Sequence, residues 1–169
     1  LAVGQTRAQR KEWLKTIAVL TEALDISPKH ESIAECMFLI GYSHFMEEHY
    51  TECVDWLERL NKDYPGNQRM MEAAYWSGMG HLFNTNYEDG LETFTYFLAD
   101  FPDSPYYIDA QFRHAVCLYG LSRFDSAEFE LARFVERNAD APQAKQLLGE
   151  AYMMLGDCAG NFGRAGQAI

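Results

Sequence analysis

A period of 37 residues constrains this chain more than any other feature. Aromatic side chains stand at Trp13, Tyr50, Tyr87 and Phe124, each 37 positions after the last. Prolines keep the same spacing at Pro28, Pro65 and Pro102, and large apolar residues keep it at Leu20, Leu57, Phe94 and Leu131. A further column is Leu60, Phe97 and Phe134, with the smaller Ala23 as its first member. Columns matched at one fixed period mark a stacked-repeat protein, in which each unit buries its apolar face only against its neighbours.

Within one unit the pattern reads as two helices. Met37, Ile40, Gly41 and His44 recur at helical spacing, a polar break Glu47-Glu48-His49 follows, and Tyr50, Cys53, Leu57 and Leu60 form a second stripe. Ser104 before Pro105 suits a helix N-terminus, Asn67 holds the same place one unit earlier, and Ala141-Pro142 offers an N-terminal proline one unit later. No segment alternates apolar and polar residues as a half-buried strand would. The spacing predicts helices over 8–26, 31–46, 49–62, 68–84, 87–100, 105–121, 124–138 and 142–157. In this reading 8–26 is the second helix of a repeat whose first helix is missing. Cys158 to Gly163, with two glycines, breaks the register at the other end, and Phe162 and Ala165 restart a truncated second helix. The expected organisation is one repeat domain over 1–169, cut from a longer protein. It comprises a partial repeat 1–29, full repeats 30–66, 67–103 and 104–140, and a divergent partial repeat 141–169.

These residues resemble the tetratricopeptide repeat (TPR) family, whose pattern is aromatic-x2-Leu-Gly-x2-Tyr, then Ala-x3-Phe, then Pro. Ile40-Gly41 with Cys53, Leu57 and Pro65 match it, as do Gly78 with Gly90, Phe94 and Pro102, and Ala115 with Ala127 and Leu131. Leu148-Gly149 and Tyr152 match its opening once more. The chain departs from the family in period, three residues longer than the usual 34, and in carrying His44, His81 and Leu118 at the Tyr position. The longer period and the link Asp100 to Tyr106 resemble repeats of bacterial envelope proteins such as the outer-membrane assembly lipoprotein. The resemblance implies an all-α fold, a right-handed superhelical solenoid of antiparallel helix pairs with the first helices on the concave side. It also tips the expected location toward the periplasm or envelope over the cytoplasm.

Family ligands usually touch the first-helix face that points away from its partner helix. Carried over residue by residue, that face includes Phe38, Tyr42 and Phe45, then Tyr75, Met79, Leu82 and Phe83, then Phe112, Val116 and Tyr119. Most of it is apolar or aromatic, and a contiguous apolar surface marks a contact site. The function implied is a scaffold that binds a partner peptide or helix in an apolar groove. The alternative is a self-association module whose groove is filled by another part of the parent protein or a second copy.

Other classes fit less well. The net charge of −11, from 14 basic and 25 acidic side chains, repels a polyphosphate backbone and argues against nucleic acid. No apolar run is long enough to insert in a membrane. Cys36, Cys53 and Cys117 align with small residues of the other repeats and read as buried packing thiols. His44 and His81 share a column suited to hydrogen bonding across helices, and His114 lies one turn earlier in the next unit, placed to approach His81. No Cys-x2-Cys pair, nucleophile motif or phosphate loop is present, so no metal, cofactor or enzymatic activity is expected. Gly41 and Gly78 read as packing glycines, where the two helices of a repeat touch most closely.

Overall fold

The computed structural model describes residues 1–26 and 32–165, with side chains described as far as residue 160. Its helices are α1 (Ala2–Gln9), α2 (Trp13–Ile26), α3 (Ile33–Met46), α4 (Tyr50–Asp63), α5 (Met70–Phe83), α6 (Tyr87–Asp100), α7 (Tyr107–Gly120), α8 (Phe124–Asn138) and α9 (Lys145–Ala165), and the described residues contain no strand. The aromatic column Trp13, Tyr50, Tyr87 and Phe124 supplies the first residue of each second helix. The chain divides into two compact units, Leu1–Asn86 and Tyr87–Ile169. In the first unit α1 to α5 pack in sequence, and in the second α6 to α9 do the same.

The turn inside each repeat is one motif used four times. Lys11, Glu48, Thr85 and Ser122, 37 residues apart, all take the left-handed conformation, with φ from 57° to 61°. The first helix of each of these pairs, α1, α3, α5 and α7, ends in the same hydrogen-bond pair. The amide of Glu48 donates to Phe45 O and that of His49 to His44 O, with counterparts at Lys11 and Glu12, Thr85 and Asn86, and Ser122 and Arg123. This is a Schellman closure, which satisfies carbonyls that a helix C-terminus would otherwise leave orphaned. The next helix starts at once, and an aromatic pair clamps the turn: Phe45 lies edge-on to Tyr50, and Tyr119 lies edge-on to Phe124. Between repeats the capping side chains sit three residues before the helix. Asn67 Oδ1 accepts from the Arg69 amide and Ser104 Oγ from the Tyr106 amide, so α5 and α7 begin at Met70 and Tyr107.

Helix pairing rests on a column of small residues facing a column of leucines. A Cβ on Gly41 would stand 2.6 Å from Leu57 Cδ2, and one on Gly4 would stand 2.3 Å from Leu20 Cδ2. Leu20 and Leu57 are fully buried, as is Leu131 of the second unit. Covering each contributes about 1.5–3 kcal/mol. In the second unit the core gathers Phe112, Ala115, Leu118, Leu131 and Phe134 with Ala144 just before the last helix and Leu147, Ala151 and Cys158 within it. Cys36, Cys53 and Cys117 are buried in the columns that the repeat assigns them.

Both chain ends depart from the sequence reading. The stretch expected as one helix over 8–26 is two, α1 and α2, parted by the same left-handed turn at Lys11. The first helix of that repeat is therefore present from Ala2 and carries the packing glycine Gly4. At the other end no break occurs at Cys158: α9 runs through to Ala165, after a 3-10 turn over Pro142–Ala144. A helix tolerates an interior glycine at about 1 kcal/mol, and Ala144, Leu147, Ala151 and Cys158 anchor one continuous buried stripe. The motif match at Leu148, Gly149 and Tyr152 is in the wrong register. Gly149 has nothing within 4 Å of its missing Cβ and Tyr152 is exposed, whereas Leu147 keeps the 37-residue column of Cys36, Ala73 and Ala110. Pro28 lies outside the described residues.

These packing assignments separate three substitutions by thermal or urea unfolding. Gly41→Leu should destabilise by about 1–3 kcal/mol through overpacking against Leu57. Gly149→Ala, in open space, should stabilise by up to about 1 kcal/mol. Thr85→Gly should stabilise by about 1 kcal/mol, because a β-branched residue is strained at positive φ. A destabilised Gly149→Ala would mean that the face is packed after all.

Candidate functional site

In the first unit, rings of α3 and α5, with Trp13 of α2 and Tyr50 of α4, form a continuous ladder. Tyr42 stacks on Phe38 at 6.0 Å and meets Trp13 and Trp76 edge-on at 5.7 and 4.9 Å. Phe45 touches Trp76 at 4.8 Å, Tyr50 at 5.4 Å and Phe83 at 5.7 Å. Phe83 stacks on Tyr50 at 5.2 Å with an interplanar angle of 18°, and Tyr75 meets Trp76 at 5.2 Å. Such pairs add about 0.5–1.5 kcal/mol each beyond area burial, so the ladder is held rigid. Phe83 remains 50 % exposed and its neighbour in sequence column, Met46, 40 %.

A charged clamp closes the N-terminal end of the ladder. Arg69 Nε and Nη2 donate to both oxygens of Glu35 at 2.7 and 3.0 Å, while Nη1 donates to Glu72 Oε1 at 2.9 Å. Its guanidinium carbon also lies 4.9 Å from the Phe38 ring centre. Hydrogen bonding to Glu35 raises the Arg69 pKa further, so the side chain is a fixed cation between two carboxylates. The second oxygen of Glu72 is buried without a hydrogen-bond partner among the described residues. An open cleft of about 450 Å³ adjoins the clamp, walled by Glu35, Arg69 and the loop Tyr64 to Gln68. From Glu35 to Phe45 the helix rises about 15 Å, the reach of roughly five residues of extended peptide.

The residues expected to line the groove divide by exposure. Phe38, Tyr75, Met79, Leu82 and Phe112 are buried, Tyr42, Phe45, Val116 and Tyr119 are half-buried, and Phe83 is open. The solvent-facing part is thus narrower than the column suggests, because the buried members pack between helices. The second unit differs at the Trp76 column. There Arg113 takes the column of Trp76, pairs with Asp109 at 3.1 Å and lies 5.3 Å from the Phe112 ring. Tyr119 packs on Phe124, and its hydroxyl donates to Asp157 at 3.5 Å. Trp76, Trp13, Tyr50 and Arg69 belong to the first-unit site and were not singled out for it from sequence. Trp13 and Tyr50 stood there only as repeat markers.

The histidines serve packing. His81 Nε2 donates to Glu58 Oε1 at 2.8 Å, the interhelical bond that its column suggests, and this bond holds the Glu58 carboxyl below its ordinary range. Burial pushes His44 and His114 down from 6.5, and it pushes Cys53 and Cys117 up to about 12. No group of three or more potential metal ligands gathers among the described residues. No helix among them is long and apolar enough to cross a membrane.

Comparison with known proteins follows from this geometry. The family model YfiO, outer membrane lipoprotein, matches residues 2–113, about two thirds of the chain. The fold is similar to that of MamA from Desulfovibrio magneticus RS-1, with a TM-score of 0.72 at 15 % identity over 98 % of this chain and 90 % of that one. It is similar to YrrB, described as a TPR protein with an unusual peptide-binding site, with a TM-score of 0.72 at 17 % identity over 94 % and 73 % of the two chains. A putative kinesin light chain from Podosopora anserina, with nearly identical TPR-like repeats, matches at 0.69 and 12 % identity over 98 % and 94 %. No curated protein matches the chain. The architecture is therefore an all-α helical-repeat solenoid of the TPR type.

The titrating groups give a signed prediction. A histidine with a depressed folded pKa is neutral when folded, so the unfolded chain binds more protons between that value and 6.5. Stability is therefore complete above pH 6.5 and falls as the pH drops through the folded values of His44 and His114. Glu58 adds a further loss below its ordinary 4.5. Urea unfolding above and below pH 6.5 should record the decline, and His114→Gln should flatten part of it. A stability independent of pH across this range would contradict the burial assigned to these rings.

Proposed function

The chain belongs to the YfiO family of outer membrane lipoproteins, and from that premise we propose that its first unit is a docking platform for a partner protein in the bacterial envelope. TPR-type repeat proteins are protein-interaction scaffolds in general, and YrrB, with the same fold, is described as having a peptide-binding site. The observation that carries the reading for this chain is the ring ladder, rigid from Phe38 to Tyr50 and ending in the half-exposed Phe83. Rigid rings make binding anchors at low entropic cost, and a flexible thioether such as Met46 adapts to what they seat.

The partner segment that suits this face carries apolar or aromatic side chains over about 15 Å and a basic or amide donor at one end. Glu35 and Glu72 outnumber Arg69, which leaves the clamp one negative charge in excess. The excess of 25 acidic over 14 basic side chains favours such a partner at long range as well. Nothing in this role asks for catalysis or a cofactor: the charged groups of the ladder are paired with one another rather than arranged as nucleophile and base. A second copy of the chain, or another segment of the parent protein, is the rival occupant.

The test uses the exposed end of the site, where packing is least at stake. Synthetic peptides with two aromatic residues and a C-terminal or N-terminal Lys, labelled for fluorescence anisotropy, should bind the native chain. Phe83→Ser with Met46→Ser should weaken them by more than about tenfold, since each covered apolar side chain contributes about 1.5–3 kcal/mol before association costs. Helical circular dichroism should be unchanged. Equal binding by the double variant would remove the ladder from the interface. Native sedimentation as a dimer, with the variant a monomer, would assign the face to self-association instead.

A further inference from the structure

The second unit holds a cavity of about 230 Å³ between α6, α7 and α8, none of whose lining residues belongs to the ring ladder of the first unit. Gln111 and His114 line it from α7, and Glu130, Arg133, Phe134 and Arg137 line it from α8. The same columns two repeats earlier, 74 residues back, hold Met37, Ile40, Trp56, Arg59, Asp63 and Leu60. There Met37, Ile40 and Leu60 are buried and Trp56 packs against them as core. Three apolar fillers have thus become Gln111, His114 and Glu130, and a space lined by polar groups occupies their place.

The charges are rearranged in the same way. Arg59 is neutralised one turn on by Asp63, at 3.3 Å, and lies over Trp56. In the second unit the Asp63 column is Arg137, so Arg133 turns back to Glu130, with Nη1 2.9 and 3.1 Å from its two oxygens. Arg137 then has no ion pair among the described residues, and His114 no hydrogen bond. Two arginines against one carboxylate leave the cavity one positive charge in excess. That excess suits a monoanion better than a doubly charged phosphate.

We propose that this cavity binds a small monocarboxylate, its carboxylate received by Arg137 with the remaining donors of Arg133 and its short apolar chain lying against Leu98 and Phe134. Arginine is the side chain whose planar fork matches a carboxylate. The volume lies below the roughly 300–1,000 Å³ of sites for drug-sized ligands, so the occupant is a few heavy atoms across. Such a carboxylate comes either as a free short-chain acid or as the free end of a peptide.

Titration of the intact chain by ¹H–¹⁵N NMR separates these cases. Butyrate stands for the free acid, N-acetylalanine for a peptide end, and butyramide and inorganic phosphate serve as controls. Either carboxylate should give saturable shifts confined to α6, α7 and α8, the tighter of the two identifying the source, while butyramide and phosphate should bind at least about tenfold more weakly. Arg137→Gln, at an exposed position that carries no core contact, should weaken carboxylate binding at least about tenfold with no loss of helix. The triple variant Gln111→Met, His114→Ile, Glu130→Trp rebuilds the first-unit filling and should abolish binding while raising the melting temperature. Absence of saturable shifts with both carboxylates, equal response to butyramide, or native affinity in Arg137→Gln would overturn the assignment.

Discussion

The close approach of a glycine to a leucine sixteen residues later governs this structure. Gly4 faces Leu20 and Gly41 faces Leu57, each with no room for a methyl group unless the leucine moves. That contact fixes how near two helices of a repeat can lie, and the turn between them must then be short. A three-residue link such as Glu47-Glu48-His49 can reverse the chain only by passing through the left-handed region. All four turns do so without a glycine at Lys11, Glu48, Thr85 and Ser122. The strain is tolerated because a Schellman hydrogen-bond pair and, at two of the turns, an aromatic contact stabilise the reversal.

A helix whose one side is committed to its partner has its other side left for neighbours and solvent. In the first unit that second side became a ladder of rings ending in a charged clamp. In the second unit the column of Trp76 is Arg113, which pairs with Asp109. The two units share a scaffold and differ in what the scaffold presents, as fold and function separate in repeat proteins generally. The clamp also explains a composition that looks unpromising for binding: Arg69 draws Glu35 and Glu72 together, so an acidic surface gains one ordered, hydrogen-bond-accepting corner.

Much of the fold was legible because the columns are physical. Leu20, Leu57 and Leu131 are fully buried, and Trp13, Tyr50, Tyr87 and Phe124 open helices, as a strict period requires. The reading failed where a short motif was preferred to the period. Leu148-Gly149 matched a family phrase, yet Leu147 holds the repeat column and Gly149 faces open space. Gly4 stands 37 residues before Gly41 and marked a first helix that the sequence reading left out. The site was legible only in part, since a column says which way a side chain points and not how tightly the next helix covers it. Tyr75 and Phe112 belong to the expected column and are buried. Trp76 and Arg69 escaped because their columns, Leu39 and Arg113 for one and Ser32 and Tyr106 for the other, share no chemistry.

Internal repeats offer a control that a single-copy domain lacks. A polar residue at a core position costs stability unless it is hydrogen-bonded or reached by water, and in most proteins the apolar alternative is hypothetical. Here it is present in the same chain: Met37, Ile40 and Trp56 fill the positions that Gln111, His114 and Glu130 leave polar. Gln111 recovers part of the loss by accepting from Asn138, and Glu130 recovers part from Arg133. His114 recovers none through a hydrogen bond among the described residues, and burial lowers its proton affinity. The replacement of Asp63 by Arg137 then removes a neutralising charge where the other changes open space. Drift in a solvated face would scatter such changes. Their convergence on one cavity, with Arg137 at its rim left without an ion pair among the described residues, is what a binding requirement imposes on a repeat that could otherwise have kept its core.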